Sequence, residues 1–275
     1  MSSLMILQKS TEEAASNKRL KKMDAKCLAC AHSSLILAKH FPPLRRALQY
    51  KMKIILLPGL DGTGYLFKNL MKELPSTLSV EVISYSSISS LSYYGQAQEI
   101  ATLHSDEDVL IVGESYSGRV AYELCHLLGE RVKGLVFLAS FVSKPSIYSC
   151  LASIVPISFL RPNFITRLLV YIVGFNMSGG IQLVSPVFHS LGHTDNKKLK
   201  ERLRNIARLD KPTKRITCPV TYISPSKDLL IASRSVHYLA SLCSSFTKIE
   251  VLGGHFIAQS NPVACAKAIT NAANM

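Results

Sequence analysis

Val109-Leu110-Ile111-Val112-Gly113-Glu114-Ser115-Tyr116-Ser117-Gly118 (VLIVGESYSG, residues 109–118) joins an apolar run to the start of a helical pattern, and the joint carries a serine between two small residues. Four apolar residues in succession, with no polar alternation, are what a strand covered on both faces of a parallel sheet requires. Tyr116 to Leu128 then has the apolar spacing of a helix. At a tight strand-to-helix turn Gly113 and Ser117 lie close to neighbouring backbone, where larger side chains would collide. Such a turn pushes the residue between them, Ser115, into an exposed and strained conformation.

Outward from this joint the same alternation repeats. Ile54-Ile55-Leu56-Leu57, Val80 to Tyr85 and Leu135 to Ala139 read as strands, and Tyr65 to Leu74 (closed by Pro75) and Tyr93 to His104 as helices. A β-α-β-α-β-α-β order with short connections implies an α/β class: a doubly wound, mostly parallel sheet with right-handed crossovers. The alternation stops between about 144 and 210. Three prolines (Pro145, Pro156, Pro162), two apolar helical stretches at Ile147 to Val155 and Phe164 to Val173, and a basic helix at Lys197 to Leu209 replace it. It resumes with a strand at Val220 to Ile223, a helix around Ser235 to Leu242, a strand at Lys248 to Leu252 and a closing helix from Pro262. The expectation is a basic N-terminal extension over residues 1–50, then one domain over 51–275 with a helical cap inserted at about 144–210.

The chain has 275 residues, 48% of them hydrophobic, enough to fill a sizeable core, and a formal charge of +14. That charge is concentrated: residues 1–53 hold 11 Lys/Arg against 3 Asp/Glu, and residues 144–215 hold 12 against 3, while the segment carrying Ser115 is acidic. No zinc-finger, RNP or basic-zipper pattern accompanies the basic parts, which argues against a nucleic-acid partner. The seven cysteines are odd in number and scattered, and only Cys27 and Cys30 are closely spaced, so reduced thiols and no metal site are expected. His189, His193 and Asp195 lie close together but without a completing ligand set, and read as solvated residues of a turn. With no signal-peptide run and no apolar stretch long enough to span a bilayer, a cytoplasmic location is expected, with attachment to a membrane surface left open.

In an open parallel sheet, reactive groups gather beyond the carboxyl ends of the strands. Ser115 follows one strand, Asp228 follows Val220 to Ile223 by a short loop, and His255 follows Val251-Leu252 through Gly253-Gly254. The residue types suit one another. A serine hydroxyl is a poor nucleophile at neutral pH unless an imidazole takes its proton, and a buried carboxylate holds that imidazole in the useful tautomer.

Gly113-Glu114-Ser115-Tyr116-Ser117, with Asp228 and His255 in the order Ser, Asp, His, resembles the α/β-hydrolase fold family, in its small capped esterase and thioesterase form. Leu57-Pro58-Gly59-Leu60-Asp61-Gly62-Thr63-Gly64 is similar to that family's oxyanion loop, and the resemblance covers roughly residues 53 to 275. It implies Ser115 as nucleophile, His255 as general base and acid, Asp228 as its orienting partner, and the backbone N–H groups of Leu60 and Tyr116 as oxyanion donors, with no cofactor. Two positions depart from the family pattern: Ser117 stands where glycine is usual, and Pro58 where many members have histidine. The function implied is hydrolysis of a small-molecule carboxylic ester or thioester through an acyl-enzyme, with an apolar acyl group suited to the apolar cap. The alternatives are acyl transfer by the same three residues, or ligand binding without catalysis. The basic residues Arg161, Arg167, Lys197, Lys198, Lys200, Arg202 and Arg204 would face an anionic carrier or a membrane surface.

Overall fold

The computed structural model describes residues 52–147, 149 and 161–275. The extension over 1–50 and most of the expected helix Ile147 to Val155 lie outside the described residues. Six strands form one sheet: β1 (Lys53–Leu57), β2 (Ser79–Val82), β3 (Val109–Glu114), β4 (Val132–Leu138), β5 (Val220–Pro225) and β6 (Phe246–Val251). All are parallel, in the order β2-β1-β3-β4-β5-β6. The chain winds outward one way through β1 and β2 and then the other way from β3, so the crevice between β1 and β3 is the switch point where open α/β sheets bind ligands.

Helices cover both faces: α1 (Lys68–Glu73), α2 (Tyr93–Leu103), α3 (Ser117–Leu128), α7 (Ser233–Leu242), α8 (Ile257–Ser260) and α9 (Pro262–Ala273) belong to the sheet, and α4 (Phe164–Leu169), α5 (Val184–Gly192) and α6 (Asn196–Arg208) lie in the chain between β4 and β5. Alternate residues of each strand feed two cores. Ile55, Leu57, Ile111 and Phe137 pack with α2, α3 and α7, and Ile54, Leu56, Leu110, Val112 and Val136 with α1 and α9. Every residue of β3 is buried, which is the physical reason its sequence lacks alternation. Among the described residues no helix is long and apolar enough to cross a membrane.

Four details differ from the sequence reading. Tyr65 to Leu74 divides into a 3-10 turn (Tyr65–Phe67) and α1, and the strand expected over Val80 to Tyr85 ends at Val82. His189 belongs to a helix, α5, rather than to a turn, and Asp195 caps α6 by accepting the Lys198 N–H at 2.9 Å. The apolar residues of α4 are not interior: Phe164 is 81% and Ile165 68% exposed. A capping box between Asn163 and Thr166 satisfies the start of α4, and Thr166 is its buried residue while the large apolar side chains are exposed. A smaller apolar cluster of Leu66, Phe175, Val184, Val187 and Phe188 holds this part of the chain together.

Gly118 lies in the first turn of α3, against the chain that follows β4. A Cβ there would stand 2.2 Å from Ser140 Oγ and 2.5 Å from the Phe141 carbonyl oxygen. Gly118→Ala should therefore cost about 1–3 kcal/mol, the usual range for overfilling a well-packed site. Urea unfolding would register it as a lower midpoint with an unchanged slope.

Candidate active site

Ser115 takes φ 48°, a left-handed conformation that an L-residue adopts only when its surroundings impose it. Here they do. Its N–H donates to the Leu138 carbonyl (3.0 Å), its own carbonyl accepts the Gly118 N–H (3.2 Å) and the Ser140 hydroxyl (2.7 Å), and a Cβ at Gly113 would come within 2.9 Å of the Ser117 carbonyl oxygen. The half-buried hydroxyl is thereby aimed off the carboxyl end of β3.

The loops after β5 and β6 are fastened to each other. The Ser226 N–H donates to Val251 (2.8 Å), Lys227 N–H to Gly253 (3.1 Å), and Gly253 N–H to Ser226 Oγ (3.3 Å). Gly254 then runs so close to the Gly174-Phe175 backbone that a Cβ would lie 2.4 Å from the Phe175 carbonyl carbon, and the Phe256 N–H donates to Gly174 (3.0 Å) while its ring stacks on Phe175. Between these anchors His255 reaches inward.

All three residues singled out by their strand-end positions come together. Ser115 Oγ lies 2.8 Å from His255 Nε2, and His255 Nδ1 lies 3.1 Å from Asp228 Oδ2 and 3.3 Å from Oδ1. A carboxylate can only accept, so Nδ1 carries the proton of the neutral imidazole and Nε2 is left to accept from the serine. Asp228 also accepts the Leu230 and Ile231 N–H groups (2.8 and 3.1 Å), so it is a turn-capping residue and the histidine's partner at once. Burial alone would raise the Asp228 carboxyl, but the His255 imidazole and those two N–H groups outweigh it and hold the group below the ordinary carboxylate value. Burial likewise pulls His255 down, and the charge and hydrogen bond of Asp228, with the charge of Glu114, more than reverse it.

The loop after β1 passes beside the serine: a Cβ on Gly59 would be 3.8 Å from Ser115 Cβ. Among the described residues the backbone N–H groups of Leu60 and Tyr116 meet no acceptor. Ser117, at the position where the family has glycine, is fully buried, donates its hydroxyl to the Pro58 carbonyl and receives a hydrogen bond from Tyr85 Oη. It ties the turn at Ser115 to the loop after β1, a link that glycine could not make.

Sequence reasoning did not find Glu114. Its buried carboxyl accepts from Gln259 Nε2 (3.0 Å) and faces Gly59, so it stands where the β1 loop, the β3 turn and the helix after His255 converge. Burial, with the nearby Asp61 charge, pushes it up to about 7 against the Gln259 and Gly59 donors. A charged residue inside an otherwise apolar strand run was the available signal. Of the basic residues expected to face outward, Lys198 gives its ammonium to the carbonyls of Tyr85, Ser86 and Ile88 (3.1, 3.0 and 2.9 Å), Arg204 pairs with Glu201, and Arg202 is buried. Arg202 shares the inward face of α6 with Leu199 and Leu203, a helical spacing that could have flagged it.

No protein-family model matches the sequence, and no curated protein matches it. Solved structures do resemble it. A thermophilic esterase from Thermogutta terrifontis is 14% identical, with 80% of this chain and 88% of that chain covered and a TM-score of 0.65. The RedJ thioesterase of the prodiginine pathway in Streptomyces coelicolor is 16% identical, covering 82% and 91%, TM-score 0.62. An alpha/beta hydrolase fold protein from Chitinophaga pinensis is 10% identical, covering 79% and 87%, TM-score 0.63. Identities this low establish shared architecture alone, and that architecture is the α/β-hydrolase fold.

The electrostatic balance at His255 can be checked without any substrate. In Asp228→Asn the downward pull of burial loses its main opponent, so the imidazole should titrate at lower pH than in the native protein, as read from its Cε1–H resonance by NMR.

Proposed function

We propose that the protein is a serine hydrolase of carboxylic esters or thioesters, working through an acyl-enzyme. The observation that carries the reading is the continuous hydrogen-bond chain from Ser115 Oγ through His255 to Asp228. In the proposed reaction Ser115 attacks the substrate carbonyl while His255 Nε2 takes its proton, and Asp228 holds the imidazolium that forms. The N–H groups of Leu60 and Tyr116 receive the oxyanion, each such donor being worth about 2.7–4 kcal/mol of the barrier. His255 returns the proton to the departing alcohol or thiol, and water, deprotonated by the same imidazole, then cleaves the acyl-serine. The proton transfers use Ser115 and His255, which are already in hydrogen-bonding reach of each other.

The esterase and thioesterase among the structural neighbours agree with this reaction class. An apolar acyl group would suit the helical segment between β4 and β5, taken as a cap, since Phe164, Ile165 and Leu168 there are exposed apolar surface of the kind that meets a ligand or partner. Acyl transfer would use the same residues, and product partition with added alcohols or amines separates the two.

An active-site-directed fluorophosphonate should add one equivalent to the native protein, detected by intact mass, and none to Ser115→Ala. The same substitution should lower kcat on p-nitrophenyl esters and acyl thioesters by roughly 10³–10⁶-fold. A folded native protein that stays unlabelled would instead indicate ligand binding without catalysis.

Attack requires neutral His255, whose pKa is raised, so kcat/KM should climb with pH along a limb lying above the free-histidine value of about 6.5. Glu114 contributes to that elevation through its negative charge. In Glu114→Gln the imidazole gives up its proton more readily, and the acidic limb should move to lower pH while the side-chain shape is kept. A limb that stays in place, or moves up, would contradict the assignment.

A further inference from the structure

We infer that Arg202 is a positioning residue for the reaction proposed above: its buried guanidinium holds the Leu60-Asp61 stretch of the loop after β1 in the one arrangement that presents the Leu60 N–H toward Ser115. The inference rests on the hydrolase reading and extends it to a residue on α6, outside the sheet and remote from the three reacting groups in sequence.

Arg202 is only 3% exposed, and its Nη1 donates to the Leu60 carbonyl at 2.9 Å and to the Asp61 carbonyl at 2.8 Å. The loop is shaped around it. Gly62 has φ 70°, and a Cβ there would lie 2.5 Å from the guanidinium carbon, so both the backbone angle and the open space exclude a side chain. Tyr85 covers the guanidinium with its ring, 5.4 Å from centroid to Cζ.

The remaining carbonyls of the loop are also held. Pro58 accepts from Ser117, Gly59 from the Gly62 N–H, and Gly62 from the Tyr85 N–H, while Thr194 Oγ1 gives Asp61 a second donor. The Asp61 carboxylate accepts from Thr63 and from Ser190 Oγ. All five carbonyls from Pro58 to Gly62 therefore have donors, so the peptide planes are fixed, whereas the Leu60 N–H meets no acceptor among the described residues. Among the described residues only Arg202 holds the Leu60 carbonyl.

The energetics point the same way. A buried cation is costly unless paired, yet among the described residues Arg202 forms no salt bridge, and its Nε is buried without an acceptor. A fixed cation beside the place where negative charge appears only during the reaction explains the cost, because its benefit is realised at that moment.

The test is steady-state turnover of a p-nitrophenyl ester by Arg202→Ala, with the concentration of competent sites titrated by fluorophosphonate. A merely structural role would reduce the fraction of competent sites. The inference expects kcat per titrated site to fall about 10–100-fold with KM within twofold, the pattern of a weakened oxyanion donor. Added methylguanidinium should restore part of the rate in Arg202→Ala and none in Ser115→Ala. Should Arg202→Ala not fold, Arg202→Lys supplies the same comparison, since an ammonium keeps the charge but loses the planar fork. Unchanged kcat per titrated site, or loss confined to the number of sites, overturns the role of Arg202 while leaving the hydrolase reading intact. A native protein that neither takes up the probe nor turns over ester overturns both.

Discussion

The left-handed backbone at Ser115 is the constraint on which the rest of the site depends. A non-glycine residue held at φ 48° costs on the order of 1–3 kcal/mol, and it persists only because the surroundings leave no alternative. Those surroundings are parts of the fold itself. The end of β4 takes the Ser115 N–H, Ser140 takes its carbonyl, and Gly113 and Gly118 supply the room. Relaxing the turn would break main-chain hydrogen bonds to a neighbouring strand and swing the hydroxyl away from His255. The strain is thus maintained by the sheet, and the aim of the hydroxyl is a consequence of sheet geometry.

Around that turn the charges are graded. Asp228 stays ionised because an imidazole and two N–H groups face it, and His255 is held above its ordinary value because the carboxylate beside it outweighs burial. Glu114, one residue before the serine, is pushed up to about 7 by desolvation. Against the loop after β1 lies a buried cation, Arg202, with carbonyls rather than carboxylates as its hydrogen-bond partners. The carboxylates of Asp228 and Glu114 therefore support the imidazole as it becomes positive, while the loop after β1 carries both the Asp61 carboxylate and, held to its backbone, the Arg202 guanidinium.

Much of this was legible in the sequence because it rests on local rules. Unalternated apolar runs mark β1, β3 and β4 as strands covered on both faces, and the positions just past strand ends single out Ser115, Asp228 and His255. What escaped depends on contacts distant along the chain. Nothing local distinguishes Arg202 from Arg204 two residues on, except that Arg202 falls on the stripe of Leu199 and Leu203; its burial follows from how α6 meets the β1 loop. Ser117 read as a tolerated replacement for glycine, whereas its hydroxyl bridges Pro58 and Tyr85, partners some 59 and 32 residues away. The apolar composition of the stretch at Phe164 does not say which side chains pack and which face outward, and in the structure Thr166 is buried while Phe164 and Ile165 are exposed.

The account is tested most directly by the crystal structure of the protein after reaction with diethyl p-nitrophenyl phosphate. It predicts phosphorus bonded to Ser115 Oγ, with the phosphoryl oxygen about 2.7–3.1 Å from both the Leu60 and Tyr116 nitrogens. An adduct on another residue, or one on Ser115 whose phosphoryl oxygen points away from those two N–H groups, would contradict it.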